Sequence, residues 1–353
     1  MTQQRETIDM HYDRSDLRRV ILSESEQFAQ GFAAVEAASI DPTQFRGLTN
    51  IMVSGMGGSA LPANVLRIYL GNLFRKSNAT SSHALGVYQN RFYTLPREAY
   101  DDCLNLICSH SGNTEETIAS FQEAIDHNLP CIGISSGGVI EEMCKEHGIP
   151  HVKLPIPFDN FQPRMATGHF VAVMMDILIR LGMIPDCRHD ITEAAAQLAD
   201  AIPVLEERGK ELAISLVGMT PVVYSSTRFK SLAMIWKIKI NENAKTPAFW
   251  NFFPELNHNE YVGFTNPQAP FHIIMLRDSE DHPRNRKRFA VTQKFLTAKG
   301  LRVTMVDMPE GALFYRIFAT LALGDWMSYH LALAYKQDPT PVDMVEDFKK
   351  ALD

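Results

Sequence analysis

The chain has 353 residues, 45% hydrophobic and 21% charged, which is enough for two α/β domains and too apolar for a disordered chain. Its net charge of −7 argues against general affinity for nucleic acid. The charged N-terminus and the absence of a long uncharged apolar run argue against a signal peptide or a membrane span. Five scattered cysteines without a CxxC pair fit a reduced compartment, so we expect a cytoplasmic protein without disulfides.

The predicted elements fall into three segments. Residues 1–47 predict a helical preface, residues 48–188 a first domain and residues 189–353 a second domain. In the first domain, the apolar segments TNIMVSG, LNLICSH, PCIGISS and HVKLP alternate with helical segments. This alternation predicts an α/β domain with a doubly wound parallel sheet flanked by helices. Residues 71–100 are polar and irregular, which predicts a loop and a short strand.

The second domain repeats this pattern. Helices near 164–182 and 189–215 close the first domain and link it to the second. In the second domain, TPVVYSS, PFHIIMLRD and LRVTMVDM then predict strands that alternate with helices near 228–245 and 283–299. The aromatic, proline-bearing segment after residue 245 predicts a loop. Helices near 313–336 and 342–352 complete the chain. The shared pattern indicates two diverged copies of one doubly wound unit.

A glycine-rich segment, Gly55–Ala60 (GMGGSA), joins the first strand to the first helix of the first domain. Glycines there let the backbone approach an anion at the helix N-terminus. The segment also fits the dinucleotide pattern GxGxxA, which requires an acidic residue about 20 positions later. No Asp or Glu occurs between Ala60 and Arg97, so we expect no nicotinamide cofactor; a merely tight turn stays open. The candidate anion-binding residues are Gly57, Gly58 and Ser59.

A second segment of this kind, Ser109–Glu116 (SHSGNTEE), also follows an apolar strand and opens a helix. The hydroxyls of Ser109, Ser111 and Thr114, together with the helix N-terminus, form a candidate phosphate site that needs no lysine. The alternative is an ordinary capping box, in which a hydroxyl is followed three residues later by Glu. Capping explains one hydroxyl, whereas three beside a glycine-rich neighbour favour an anion site.

This segment resembles the SxSGNTxET signature of sugar isomerase (SIS) domains, which bind phosphosugars. The resemblance extends to the bifunctional phosphoglucose/phosphomannose isomerases and covers nearly the whole chain from about residue 10. It implies two SIS-type domains, sugar phosphate substrates and no metal or cofactor. The segment QPR, which ends at Arg164, resembles a segment of that family and makes Arg164 a candidate cation near the developing charge. The alternative is a surface arginine.

The segments INENAK and PELNHNE resemble two further signatures of the same family. The resemblance implies that Glu242 is the base that moves the proton between C1 and C2, and that His258 assists ring opening. From the residues alone, Glu242 is also explained as an exposed helix carboxylate paired with Lys239 or Lys245. The histidine is likewise explained as a loop residue satisfied by Asn257 or Glu260.

The C-terminal segment YKQDPTPV resembles the family's ending and implies that Lys336 reaches the active site. Its alternative role is a cation at a helix C-terminus. Family members that use both sugars carry a small hydroxyl residue in the preceding helix, and Ser328 is the candidate for this epimer specificity. A metal site is not expected, because Gly148 and Pro150 keep the histidines of HGIPH from sharing a helical face.

The resemblance also implies a homodimer in which His258 is contributed across the interface. Two other functions stay open at this point. A non-catalytic phosphosugar sensor would keep the phosphate motif but would not need the base or the histidine. An aminosugar-phosphate isomerase would share the domains but would prefer hexosamine phosphate.

Overall fold

The computed structural model describes residues 10–76 and 85–352. Their contacts define two compact units. The N-terminal unit is Ser23–Gln197, and the C-terminal unit combines the described residues of Met1–Leu22 with those of Leu198–Asp353. The domain boundaries expected after residues 47 and 188 stay predictions.

Strands and helices alternate along the described chain. The strands are β1 (Asn50–Ser54), β2 (Gly86–Asn90), β3 (Cys103–Cys108), β4 (Cys131–Ser135), β5 (His151–Lys153), β6 (Thr220–Ser226), β7 (Phe249–Phe253), β8 (Phe271–Arg277) and β9 (Arg302–Asp307). The helices are α1 (Leu17–Leu22), α2 (Gln27–Glu36), α3 (Gly57–Lys76), α4 (Glu115–Asp126), α5 (Gly138–His147), α6 (Thr167–Arg180), α7 (Arg188–Leu216), α8 (Lys230–Ala244), α9 (Pro283–Ala298), α10 (Leu313–Ala334) and α11 (Asp343–Lys350). None of these helices has an apolar stretch long enough to cross a membrane.

The N-terminal unit is built on a parallel sheet with the order β2-β1-β3-β4-β5. Strands β3 and β4 are buried along their whole length, as expected for a parallel sheet covered on both faces. The strand order reverses between β1 and β3, which is where doubly wound sheets bind ligands beyond the carboxyl ends of their strands. The predicted phosphate segments follow these two strands.

One part of the sequence prediction for this unit is wrong. Helix α3 continues to Lys76, into the segment predicted to be a loop from residue 71, while β2 confirms the short strand. Residues 77–84 of that segment lie outside the described residues.

The C-terminal unit has a second parallel sheet, with the order β7-β6-β8-β9. Strand β7 was predicted to be part of a loop, and this prediction is wrong. Its residues pair in parallel with β6, from Val222 with Phe249 to Ser226 with Phe253. Aromatic residues favour strands, and Pro254 follows directly after β7, where an edge strand tolerates it.

Helices α8 and α10 lie side by side and run in the same direction. Three contacts fix their register: Trp236 Nε1 donates to the Thr320 carbonyl at 2.9 Å, Lys239 Nζ lies 2.6 Å from Asp325 Oδ1, and Asn243 Nδ2 donates to Ser328 Oγ at 2.9 Å. The C-terminal ends of both helices therefore lie at the same end of the pair.

Candidate active site

The two predicted phosphate segments meet at the carboxyl edge of the N-terminal sheet. The backbone N–H of His110, in the loop after β3, donates to Ser59 Oγ in the first turn of α3 at 2.9 Å. Ser59 is buried, and its own N–H donates to the Met56 carbonyl at 3.0 Å. The structure thus joins the loops after β1 and β3 by a direct hydrogen bond at the switch point of the sheet.

The loop Ser109–Thr114 is ordered by its own hydroxyls. Ser109 Oγ lies 2.8 Å from Thr114 Oγ1 and accepts a hydrogen bond from the Gly112 N–H at 3.1 Å. The Thr114 side chain makes no capping hydrogen bond to α4, so the capping alternative does not describe this loop. Ser111 is exposed, and its Oγ accepts from the Asn113 N–H at 3.2 Å. Two hydroxyls lie inside the loop and one faces outward.

Glycine at the start of α3 allows the QPR segment to approach. Gly57 has a left-handed φ of +47°, which favours glycine. A Cβ on Gly58 would lie 2.5 Å from the backbone N of Arg164, so only glycine fits there. Arg164 is 1% exposed, and its Nη1 donates to Gln162 Oε1 at 3.3 Å. The surface-arginine alternative is therefore wrong: a buried cation lies next to the first turn of α3.

Aromatic rings pack between the QPR segment and the loop after β3. The Phe161 ring, just before the QPR segment, lies 5.7 Å from the ring of His110 and 5.7 Å from that of His169. Burial lowers the pKa of His110 to about 4 and that of His169 to about 3, which keeps both rings neutral at physiological pH. Contacts among these three uncharged rings therefore connect the loop after β3 to the QPR segment.

Glu242 lies in the last turn of α8 and is half-buried. Lys239, one predicted partner, forms an ion pair with the buried Asp325. Lys245 ends α8 in a left-handed conformation, and its Nζ donates to the backbone carbonyls of Glu242 at 2.6 Å and Pro339 at 3.1 Å. The loop that follows α10 is thereby tied to the end of α8 that carries Glu242.

Lys336 and Ser328 lie on α10 or just after it. Lys336 is exposed and takes a left-handed φ of +58° immediately after the end of α10. Ser328 is fully buried; its Oγ accepts from Asn243 and donates to the Asp325 carbonyl at 3.0 Å. The packed helices therefore bring Glu242 and Lys336 to one end, with Ser328 in their interface. The role of Ser328 in epimer specificity stays a prediction.

His258 lies in a loop in which the neighbouring side chains of Asn257 and Glu260 have hydrogen-bond partners elsewhere in the chain. Asn257 accepts from Arg288 Nη1 at 3.1 Å and donates to Thr292 Oγ1 at 3.0 Å, which attaches the loop to α9. Glu260 accepts hydrogen bonds from the Tyr224 hydroxyl and from the Asn251 side-chain amide. The predicted pairing of His258 with Asn257 or Glu260 is therefore wrong. Within the described part of the chain, the exposed His258 side chain makes no hydrogen bond or ion pair.

The role of Glu260 was not predicted from the sequence. Its Oε2 accepts from Asn251 Nδ2 at 2.5 Å, and its Oε1 accepts from the Tyr224 hydroxyl, so one carboxylate bridges β7 and β6. Burial, followed by the Glu260 charge, raises the pKa of Tyr224. The residue stands inside the PELNHNE segment, but its partner Tyr224 is 36 positions away and could not be recognised from spacing.

The corresponding edge of the C-terminal sheet is filled differently. Arg316 lies 3.2 Å from Asp278 Oδ2 and 2.8 Å from Glu280 Oε2, and Arg228 lies 3.4 Å from Glu280. Burial raises the pKa of Asp278 in spite of the neighbouring arginines. This edge therefore holds a cluster of ion pairs. Among the described residues, no group of three or more His, Cys, Asp or Glu is placed to hold a metal ion.

Known proteins resemble this chain in sequence and in fold. Residues 205–352 match the family model described as the bacterial phospho-glucose isomerase C-terminal SIS domain. The bifunctional phosphoglucose/phosphomannose isomerase of Caldicellulosiruptor bescii is 32% identical over 86% of this chain and 90% of its own length. That of Aquifex aeolicus is 33% identical over 88% of this chain and 92% of its own length.

Among solved structures, the C-terminal domain of glucosamine-fructose-6-phosphate aminotransferase from Francisella tularensis superposes with a TM-score of 0.70 at 13% identity. The match covers 95% of this chain and 100% of that one. It confirms the predicted fold class, two SIS-type α/β domains with parallel sheets flanked by helices. Together with the sequence relatives, it confirms the family that the motifs indicated. The chain belongs to the family of bifunctional phosphoglucose/phosphomannose isomerases.

Proposed function

We propose that this protein is an aldose–ketose isomerase that interconverts glucose 6-phosphate, and also mannose 6-phosphate, with fructose 6-phosphate. The observation that carries the proposal is the pair of joined loops after β1 and β3, which place hydroxyls, a helix N-terminus and the buried Arg164 at the switch point. Uncharged donors and one cation suit a sugar phosphate. The two relatives described above carry the same activities in their names.

The proposed mechanism assigns each group one task. The backbone of Gly57 and Gly58 and the hydroxyls of Ser59, Ser109, Ser111 and Thr114 hold the phosphate. After ring opening, the Glu242 carboxylate takes the proton from C2 of the aldose to give a cis-enediol and returns it to C1, while the proton of the C2 hydroxyl passes to O1, so that C2 becomes the carbonyl carbon of the ketose. Arg164 stabilises the negative charge of the enediolate, and Lys336 supplies a second cation. No step requires a metal ion.

His258 exchanges a proton with the ring oxygen during ring opening, and we assign it to the site of a second copy. The exposed imidazole without a partner in its own described chain supports this role, because an acid–base group must touch its substrate. The functional molecule is then a homodimer with symmetric sites. Free sugar phosphates as substrates and five buried thiols without disulfides favour the cytoplasm.

The first experiment supplies fructose 6-phosphate to the purified protein in EDTA and follows glucose 6-phosphate and mannose 6-phosphate separately. Formation of both products supports the dual isomerase. Formation of glucose 6-phosphate alone limits the proposed function to the phosphoglucose isomerase activity. Binding without turnover would favour the sensor, and preference for hexosamine phosphate would favour the aminosugar enzyme. Glu242→Gln should lower kcat by about 10²- to 10⁴-fold while substrate still binds. Glu211→Gln, at an exposed position of α7, is the matched control and should keep full activity.

Mixing two inactive variants tests the shared site. If His258 acts across the interface, a heterodimer of Glu242→Gln and His258→Ala contains one site with both groups intact. Random exchange of subunits should then restore about a quarter of the wild-type activity, since half of the dimers are mixed and each has one working site. No recovery from a mixture shown to exchange subunits would place both groups in the same chain.

A further inference from the structure

The C-terminal helix α11 and the turn that follows it present an apolar stripe that the described part of their own chain leaves uncovered. Met344, Phe348 and Leu352 follow each other at intervals of four residues and are 89%, 63% and 63% exposed. None of the 8 residues of α11 is buried. A helix of this length is marginal in water and needs a packing surface. The stripe therefore requires a partner.

Helix α9 offers a surface of matching character. Val291 and Phe295, one turn apart, are 43% and 55% exposed, and the exposed Lys287 and Lys294 lie on the same helix. The helix carries five cations and no acidic residue. In α11, the acidic residues Asp343, Glu346 and Asp347 precede Lys349 and Lys350. The apolar stripe beside carboxylates is thus complementary to the apolar pair beside lysines, and complementarity of this kind sets register at an interface.

The positions of both helices in the chain point to a second copy. Asn257 attaches the His258 loop to α9 through Arg288 and Thr292, so the position of His258 is fixed relative to α9. Helix α11 begins seven residues after Lys336, a span of at most about 25 Å. This step rests on the proposed function: when His258 of one copy enters the site that contains Lys336 of the other, α9 of the first copy comes within reach of α11 of the second.

We propose that α11 of each copy docks its Met344–Phe348–Leu352 stripe on the Val291–Phe295 face of α9 in a second copy. Two-fold symmetry makes each copy both donor and acceptor, so the contact closes in a dimer and exposes no further free stripe. The docked helix also holds the His258 loop of one copy at the site of the other. Interface and catalysis are thereby linked through α9.

Engineered cysteines test this contact. Phe348→Cys and Phe295→Cys, purified separately and mixed under mild oxidation, should form a disulfide-linked dimer that neither variant forms alone. The native thiols do not interfere, because all five are buried and burial raises the pKa of each. Phe348→Cys mixed with Val204→Cys, an exposed position on α7, is the control and should not cross-link.

A second variant measures the strength of the contact. Phe348→Asp changes an exposed side chain and leaves the core intact, and it should raise the dimer dissociation constant by about tenfold or more in sedimentation experiments. Cross-linking of Phe348→Cys with itself, or a cross-link within one chain carrying both cysteines, would overturn the proposal. A dimer with normal isomerase activity but no mixed cross-link would also overturn it, while leaving the proposed function intact. The isomerase assay of the unmodified protein decides that function separately.

Discussion

The carboxylate of Glu260 should determine how firmly His258 is held. It is the acceptor for the Tyr224 hydroxyl and for Asn251 Nδ2, so a single side chain connects the loop to β6 and β7. Glu260→Gln keeps the shape of the side chain but removes its charge and replaces one carboxylate oxygen by an amide NH2 group. When this group faces Tyr224, the hydroxyl accepts a hydrogen bond from it and no longer donates to a carboxylate, so both charge-assisted bonds are replaced by weaker neutral ones.

The size of the effect follows from these contacts. A hydrogen bond to a charged group contributes about 1.5–3 kcal/mol, so Glu260→Gln should lower the free energy of unfolding by about 2–3 kcal/mol. Tyr224→Phe removes the donor from the same bond and should cost a similar amount. In the double variant the two losses overlap, and the coupling free energy should reach about 1 kcal/mol or more. A loosened loop should also lower kcat by about tenfold or more with little change in KM, because the proposed phosphate site does not include this loop.

Urea denaturation of the wild type, both single variants and the double variant gives the coupling free energy, and steady-state assays with fructose 6-phosphate give kcat and KM. Glu255→Gln is the matched control, since Glu255 is an exposed residue of the same loop and should change stability by less than about 0.5 kcal/mol. If the two losses add within about 0.5 kcal/mol and kcat is unchanged, the carboxylate does not position His258.

Two further predictions concern buried ionisable groups. Because the pKa of His110 falls to about 4 and that of His169 to about 3, the unfolded chain takes up protons first as the pH drops below about 6.5, and each histidine should remove about 2 kcal/mol of stability at pH 5. His110→Phe should flatten the dependence measured by urea denaturation between pH 7 and 5 by that amount; an unchanged slope would show that the ring is already free to protonate. Lys239→Met should cost about 3–5 kcal/mol by leaving the Asp325 carboxylate buried without its cation, whereas Lys239→Met/Asp325→Leu should recover most of it. A double variant as unstable as the single one in the same denaturation assay would contradict this.

Much of the fold could be predicted from the sequence because buried parallel strands are short apolar runs that alternate with helices. The strands from β3 to β6, and β8 and β9, lie where those runs stand. Strand β7 was missed because FWNFF has neither an alternating pattern nor a uniformly aliphatic one, and Pro254 follows it. Its place is decided by pairing with Thr220–Ser226, which is a tertiary contact.

The candidate site residues could be predicted from the sequence, but the tertiary contacts that position them could not. The hydroxyls of the loop after β3 and the glycines before α3 could be recognised because strand ends and helix starts are local features. The burial of Arg164 could not, since it depends on the close approach of Gly58, more than a hundred positions earlier. The same holds for Lys239, whose pairing with Asp325 appears only when α8 and α10 are packed in register.

The two sheets share a strand order, but the residues at their switch points differ in charge. At the C-terminal edge, the carboxylates of Asp278 and Glu280 already pair with Arg316. The cation of that edge therefore has counter-ions from its own chain, and a free phosphate would have to compete with these carboxylates. The N-terminal edge has hydroxyls and backbone N–H groups but no such internal anion in its loops between Gly55 and Ala60 or between Ser109 and Thr114. Two halves with a similar strand order therefore differ in the charges that an anion would meet, which supports the proposal that the sugar phosphate binds at the N-terminal edge.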